Sequence, residues 1–207
     1  MSWSKKFGAE NIHQLGDVEQ VERRSQALAL LDAILIPEWE DRYFSFNCRW
    51  NLERQERMAS MRNGQGDEYF ILYSRSGVAG KVYCDECQLA PEDARAAVPS
   101  TFAAFMTEPA FSISTSTFFF WNVGLQRTWS ASPSQPNGYA WLGFLARGPS
   151  AYLEWVNAYL EKEIDSMSVD RVFETLTITE ELVAQLNSDR DLSELAEDLD
   201  EIGLSIR

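Results

Sequence analysis

Apolar residues recur at helical spacing in the first part of the chain. Between residues 17 and 35 they fall on one face of a helix: Val21, Leu28, Leu31 and Leu35. Asp17 is a suitable N-cap for this helix, and Pro37 ends the run. The pattern therefore predicts an amphipathic helix over 17–35, preceded by an irregular N-terminal arm over 1–16.

Alternation of apolar and polar residues predicts strands in the middle of the chain. Residues 43–50 alternate strictly, with an apolar face formed by Phe44, Phe46, Cys48 and Trp50. Residues 69–73 are apolar on both faces, as a central strand would be, and residues 78–84 alternate again. Gly77 and Gly80 permit a turn and a bulge beside this last strand.

The next stretch continues the strand pattern with little charge. A short helix is predicted over 101–106. Residues 111–124 first alternate and then become aromatic on both faces, which indicates a strand entering the core, and 126–132 follow as its hairpin partner. Residues 132–138 have the composition of an exposed loop, and 139–144 are predicted to form a further strand.

The last part of the chain, 149–207, is predicted to be helical. Helix starts are indicated at or just after four positions: Pro149, Ser168, Thr179 and Asp191. Glu194, three residues after Asp191, fits a capping box, and Gly203 ends the final helix. The elements together predict one α+β domain over 1–207, with a mainly antiparallel sheet of five or six strands. The N-terminal helix and the C-terminal helical group pack against this sheet.

Net charge limits the classes of partner. The chain carries 18 basic and 32 acidic side chains, a net charge of −14. Such a surface repels nucleic acid and anionic lipid, and it speeds encounters with basic proteins. No signal peptide and no apolar run long enough to span a bilayer are visible. With an odd number of cysteines, these features favour a cytoplasmic protein that binds neither nucleic acid nor membranes.

The segment CDEC, residues 84–87, has the CxxC spacing that zinc sites and redox motifs share. A zinc site needs four ligands, which would have to be Cys48, Cys84, Cys87 and His13. Cys48 and Cys84 lie instead on predicted apolar strand faces, where cysteine packs as a small hydrophobe. The two acidic residues inside the motif would destabilise a thiolate. We therefore expect a core cysteine at a strand end, a loop cysteine after it, and neither a metal nor a cofactor.

Two groups of charged residues are candidate sites. Arg62, Asp67 and Glu68 surround a glycine-containing turn before the predicted central strand, a common location for a small-ligand or enzyme site. The second group lies near the C-terminus, where residues 174–207 carry ten carboxylates against Arg190 and Arg207. In the final helix the leucines face inward, which leaves five carboxylates outside: Glu194, Glu197, Asp198, Asp200 and Glu201. This surface either keeps the chain in solution or docks a basic partner.

The stretch MASMRNGQGDEYFILYSRSGVAGKVYCDE, residues 58–86, resembles segments of uncharacterised bacterial proteins. In size, acidity and α+β organisation the chain also resembles bacterial immunity proteins, although the glutamate-and-LPxxY pattern of one such family is absent. This resemblance implies a non-enzymatic domain that neutralises a basic, toxin-like protein through an acidic surface. The alternative is an enzyme or small-ligand domain that uses Arg62, Asp67 and Glu68. A homodimer stays open, because Trp39 and Trp129 are expected to reach the surface.

Overall fold

A computed structural model of the protein describes residues 7–124, 128–133 and 140–205. Within these ranges the chain forms a six-stranded antiparallel sheet in which each strand pairs with the next one along the chain. The strands are β1 (Phe44–Asn51), β2 (Glu56–Arg62), β3 (Glu68–Ser74), β4 (Gly77–Tyr83), β5 (Phe118–Val123) and β6 (Ser130–Ala131). This meander confirms the predicted mainly antiparallel sheet.

Helices cover both faces of the sheet. In chain order they are α1 (Val18–Leu35), α2 (Glu92–Ala96), α3 (Ala103–Met106), α4 (Gly143–Arg147), α5 (Pro149–Tyr159), α6 (Ser166–Thr175), α7 (Glu180–Leu186) and α8 (Ala196–Ile202). Helix α1 and the C-terminal helices α4–α8 pack on one face and form the larger core. The segment with α2 and α3 covers the other face around Phe70, Phe111 and Phe119. None of the described helices is both long and apolar enough to cross a membrane.

Several helix ends lie where the sequence predicts them. The Asp17 side chain accepts a hydrogen bond from the Gln20 backbone N–H at 2.8 Å and so caps α1. Pro149 occupies the first turn of α5, and Thr179 caps α7. Asp191 and Glu194 form the predicted capping box, on a 3-10 helix (Leu192–Leu195) that leads directly into α8. Gly203 ends α8 in the left-handed conformation.

Two strand assignments from the sequence are wrong. Strand β2 escapes the sequence pattern because its inward-facing Ala59 and Met61 share their face with Arg57 and alternate with Ser60 and Arg62, a weak apolar signal. The described residues of 139–144 are helical: a 3-10 helix (Ala140–Leu142) runs into α4. Residues 125–127 and 134–139, which include parts of the predicted hairpin and loop, lie outside the described ranges. The count of five or six strands is confirmed, although one member differs.

The N-terminal arm is also more ordered than predicted. Residues Ala9–Leu15 form a 3-10 helix, and Phe7, Ile12 and Leu15 are buried in the larger core. Residues 1–6 lie outside the described part of the chain. Helix α6 starts at Ser166, earlier than predicted, because Asp165 caps it by accepting a hydrogen bond from the Ser168 N–H at 2.7 Å. The N-terminal 3-10 helix was not predicted because its segment is short and has too few regularly spaced apolar residues to give a helical signal.

Gly80 has a role different from the predicted one. Strand β4 pairs with β3 and β5 in unbroken register, so there is no bulge at Gly80. A Cβ atom there would lie 2.2 Å from the Phe120 ring, so glycine is required by the close approach of that ring. The irregularity lies in β1 instead, between Asn47 and Asn51. It moves Trp50 to the outer face of the sheet, the one that the α2–α3 segment covers, where its ring stacks on Phe111 with ring centres 5.6 Å apart.

The Asp32 carboxylate joins α1, β1 and α5. Asp32 is fully buried near the end of α1. Its Oδ2 accepts hydrogen bonds from the Tyr43 and Phe44 backbone N–H groups, both at 2.8 Å, and its Oδ1 accepts one from the Tyr152 hydroxyl at 2.8 Å. Burial raises the pKa of Asp32 to about 7, although these hydrogen bonds and the nearby Arg42 charge oppose the rise.

Stability should therefore depend on pH through Asp32. The pKa is about 7 in the folded chain, against 3.8 for an ordinary aspartate carboxyl, so the folded state holds the proton more tightly. The contribution of Asp32 to stability is greatest below about pH 4 and is lost as the pH rises through 7. The total loss is about 1.4 kcal/mol for each unit by which the folded and unfolded pKa values differ. We expect Asp32→Asn to remove this loss. Urea unfolding from about pH 4 to pH 8 measures the difference between the two proteins.

Asp32→Ala serves as the comparison variant. It leaves two backbone donors and the Tyr152 hydroxyl without their acceptor, so we expect it to be about 3 kcal/mol less stable than Asp32→Asn at every pH. Asparagine keeps an acceptor for the backbone groups and gains a donor for the Tyr152 oxygen. Identical pH slopes for the native chain and Asp32→Asn would show that the Asp32 carboxyl does not titrate in this range.

Candidate functional site

The five predicted carboxylates lie on one side of the C-terminal end of the chain. Leu192, Leu195, Leu199 and Ile202 are buried, as the helical spacing predicts. The remaining positions of the 3-10 helix and of α8 turn outward, and they carry Glu194, Glu197, Asp198, Asp200 and Glu201. Except for the partly buried Asp198, these residues are exposed.

Arginines already compensate part of this charge. Arg42 pairs with Asp198, and Arg49 pairs with Asp200. Arg190 lies 3.2 Å from Glu194 and 3.8 Å from Asp198. Glu201 accepts a hydrogen bond from the Asn47 side chain at 3.1 Å. The exposed Arg49–Asp200 pair contributes little stability, but all of these pairs lower the charge that a partner meets. In the described part of the chain, Glu197 has no ion-pair partner.

The segment Glu38–Asp41 extends this surface beyond the predicted residues. It forms a short 3-10 helix (Trp39–Asp41), and the Trp39 side chain is 63% exposed. A small depression of about 20 Å³ connects Trp39 to α8; its lining includes Arg42, Asp198 and Glu201. Glu38, Glu40 and Asp41 are exposed as well. We call the surface formed by Glu38, Trp39, Glu40, Asp41, Glu194, Glu197, Asp198, Asp200 and Glu201 the acidic face.

Tryptophan exposure follows the sequence expectation at one of two positions. Trp39 reaches the surface as predicted. Trp129 does not: it is 8% exposed, and its indole N–H donates to the Gly16 carbonyl at 2.7 Å. The polar residues that follow Trp129 suggested a surface position, but the indole packs beneath the N-terminal segment.

Of the three residues of the predicted ligand site, the structure brings Arg62 and Glu68 together, whereas Asp67 has other neighbours. Arg62 and Glu68 are cross-strand partners on the outer face of the sheet. Glu68 pairs with Lys81, whose side chain is fully buried, and burial lowers the pKa of Lys81. The Arg62 guanidinium and the Lys81 ammonium lie 5.0 and 5.1 Å from the centre of the Phe70 ring. Sequence analysis missed Lys81, although a lysine inside the apolar stretch GVAGKVY is a signal for a buried charge.

Asp67 has a different set of neighbours. Its Oδ2 accepts hydrogen bonds from the Asn63 side chain at 3.1 Å and the Trp141 indole at 3.2 Å. Its Oδ1 accepts one from the Asp85 backbone N–H at 3.1 Å. Asp67 therefore connects the β2–β3 turn to the CDEC segment and to the segment before α4. These bonds occupy the carboxylate with structural contacts.

The CDEC segment contains a disulfide between Cys84 and Cys87, with the Cα atoms 5.2 Å apart. The sequence led us to expect two unlinked cysteines, and this expectation is wrong because the turn after β4 folds the two thiols together. Both residues are half-buried. Cys48 lies on β1, away from this disulfide, with its Sγ 3.5 Å from the Asp200 carbonyl oxygen. His13 is exposed on the first 3-10 helix.

Metal-binding geometry is not found in the described ranges, where no group of three or more His, Cys, Asp and Glu residues could hold an ion. The four residues considered as zinc ligands do not converge. Cys84 follows the end of β4 that pairs with the start of β3, and Cys48 contacts the C-terminal helix from the edge strand.

An aromatic cluster lies beside the acidic face. The Tyr43 ring centre is 5.2 Å from that of Trp141, 4.9 Å from that of Trp155 and 5.2 Å from that of Tyr159. Trp155 and Tyr159 stack at 5.3 Å on consecutive turns of α5. We call Tyr43, Trp141, Trp155 and Tyr159 the aromatic cluster. Tyr43 and Trp141 are half-buried, and Tyr159 is 38% exposed.

A surface cleft of about 480 Å³ lies at the start of α1 and lies within the usual size range of ligand pockets. Glu22 and Arg57 line it and form a two-contact ion pair. The Tyr73 hydroxyl hydrogen-bonds with Ser25 at 3.0 Å, and Asp17 caps α1. Glu22, Arg57, Tyr73 and Asp17 thus already have partners within the protein.

Breaking the Glu68–Lys81 pair from either side should have unequal effects. Glu68→Ala leaves the buried ammonium without its carboxylate, and we expect a loss of about 2–3 kcal/mol in unfolding free energy. This is less than for a fully buried pair, because Glu68 is partly exposed. Lys81→Met should change stability by less than about 1 kcal/mol, since the remaining Glu68 carboxylate can be hydrated.

The double variant Glu68→Ala/Lys81→Met tests this interpretation. It should recover most of the stability lost in Glu68→Ala, which urea denaturation of all four proteins measures. An equal loss in both single variants, with no recovery in the double variant, would show that packing rather than the buried charge sets the cost.

Comparison with known proteins adds no assignment: no protein-family model, curated protein or solved structure matches this chain. A functional proposal must therefore come from the surfaces described above. On the acidic face, the exposed Trp39 side chain lies among carboxylates. On the outer face of the sheet, the buried Lys81 lies near the exposed Arg62.

Proposed function

We propose that the chain is a non-enzymatic, immunity-like protein that binds a basic protein through the acidic face. The observation that carries the proposal is the exposure of Trp39 within a run of three carboxylates and next to α8. A tryptophan that is 63% exposed leaves a large apolar surface in water. Tryptophan is among the residues most often responsible for binding energy in protein interfaces.

Charge supports a basic partner. Glu38, Glu40 and Glu197 are exposed and have no ion-pair partner among the described residues. The chain as a whole carries a net charge of −14, which steers positively charged proteins toward it. Arg42, just before β1, and Arg49, in β1, pair with Asp198 and Asp200 of α8, so this part of the surface is preformed and loses little entropy on binding.

The proposal includes a cytoplasmic location and no nucleic-acid partner. The acidic composition supports the second part, since counterion release cannot drive binding of a polyanion here. The Cys84–Cys87 disulfide weighs against the first part, because disulfides are rare in reducing compartments. In a reducing cytoplasm we expect this pair as two thiols.

Substitutions on the acidic face test the proposal. Trp39→Ala should weaken partner binding roughly 30-fold or more, the usual effect of truncating a central tryptophan. The triple variant Glu38→Gln/Glu40→Gln/Glu197→Gln should weaken it most at low salt, because screening already reduces these charges at high salt. The measurement is capture on immobilised protein, with identification by mass spectrometry and affinities from titration of the identified partner.

Matched controls come from the same chain. Met167→Ala removes another highly exposed apolar side chain, and Glu53→Gln/Glu92→Gln/Glu174→Gln removes three exposed carboxylates elsewhere. Neither control should reduce binding as much as its counterpart. A partner that binds Trp39→Ala and the acidic-face triple variant as well as the native chain would refute the proposal. Native mass spectrometry separates a second copy of this chain from a foreign partner.

A second candidate function is binding of a small anion beside Arg62. The observation that favours it is the position of the Arg62 and Lys81 cations over the same Phe70 ring, where Glu68 pairs with Lys81. Arg62 is exposed and could bind an oxyanion through two N–H groups. Inorganic phosphate should then raise the melting temperature of the native chain and have no effect on Arg62→Ala. Equal shifts in both proteins would count against this site.

A further inference from the structure

The aromatic cluster exposes ring surface that no described side chain covers completely. Tyr159 is 38% exposed, and Tyr43 and Trp141 are half-buried, while Trp155 lies beneath them at 3% exposure. Hydrogen bonds fix the orientation of two rings. The Tyr159 hydroxyl donates to the Asp41 carbonyl at 3.2 Å, and the Trp141 indole donates to the Asp67 carboxylate at 3.2 Å. The cluster is therefore a rigid, partly open aromatic surface.

An exposed acidic residue, Asp41, lies next to these rings. Burial raises the pKa of the Tyr159 hydroxyl, and the charges of Asp41 and Asp32 raise it further. Burial likewise raises the pKa of the Tyr43 hydroxyl, with a contribution from Asp32. The Asp41 carboxylate, which disfavours a phenolate on Tyr159, favours a cation at the same position. The ring faces, which carry the negative part of the aromatic quadrupole, add to that preference.

The spacing of the rings selects the shape of the cation. Neighbouring ring centres in the cluster lie 4.9–6.0 Å apart, so the rings pack against one another and leave no space between them for a compact ammonium group. A bound cation must lie on the outer surface of the cluster. A planar guanidinium can stack on such a surface while its edge donates hydrogen bonds to a carboxylate.

We infer that the aromatic cluster is the subsite that receives an arginine side chain of the basic partner. In this arrangement the guanidinium stacks on Tyr159, and its N–H groups point to the Asp41 carboxylate. The inference rests on the proposed function, since it names the side chain by which the basic partner is recognised. Asp41 belongs to both the acidic face and the border of the cluster, so one bound segment can contact both.

The test compares an arginine-rich peptide with the same peptide in which every arginine is replaced by lysine. The two peptides have equal charge, so general electrostatic attraction affects both alike. Fluorescence anisotropy at low salt should show roughly five-fold tighter binding of the arginine peptide, within the range of exposed cation–π contacts.

Variants at Tyr159 separate stacking from charge. Tyr159→Leu keeps an apolar side chain over Trp155 but removes the ring, and it should abolish the preference for arginine. Tyr159→Phe keeps the ring and should retain the preference. Asp41→Asn should weaken binding of both peptides and reduce the arginine preference. Thermal unfolding of each variant establishes that it is folded before binding is compared.

The outcomes distinguish this inference from the proposed function. If both peptides bind equally and Tyr159→Leu has no effect, the arginine subsite is refuted and the acidic face stands. If neither peptide binds while an identified partner does, the subsite is likewise refuted. If no basic protein or peptide binds at all, the proposed function fails and the subsite fails with it.

Discussion

The Asp32 carboxylate accepts hydrogen bonds from the start of β1 and from α5, and both candidate surfaces depend on this junction. Tyr43, which donates one of these bonds, is the central ring of the aromatic cluster. Tyr152, another donor, lies one and two turns before Trp155 and Tyr159 on α5. Burying a carboxyl group is unfavourable unless its partners are fixed, so the three elements are held in one arrangement. The arrangement of the rings in the aromatic cluster thus depends on the hydrogen bonds of Asp32, a fully buried residue.

The fold could be predicted wherever local pattern and tertiary environment agree. Helix α1 and its Asp17 cap follow directly from the apolar spacing, and β3 follows from its two apolar faces. Strand β2 could not be found, because its inward positions include an alanine and its outward positions include serine and arginine. Residues 140–144 contain aromatic and apolar residues that suit a strand equally well. Their helical form is set by the tertiary packing of Phe144 and Trp141 against Phe44.

The acidic surface could be located from the sequence, but its effective charge could not. Helical spacing alone places the carboxylates of α8 outside. Arg42 and Arg49, far away in the sequence, reach them only because β1 is the edge strand beside α8. The Glu68–Lys81 pair illustrates the same limit, since its partners are brought together by the register of β3 and β4. Long-range pairing of this kind leaves no local signal. Trp39, flanked by carboxylates and following Pro37, did leave one.

Asp41 joins the two surfaces through its neighbours on each side. It ends the short 3-10 helix that carries Trp39, and its carbonyl accepts the Tyr159 hydroxyl. A single extended segment could therefore contact Trp39 and the aromatic cluster without any change in the fold. Because both contacts belong to one chain, the second would form at high effective concentration once the first is made. In the proposed binding mode, the junction at Asp32 keeps the spacing of these two contacts fixed.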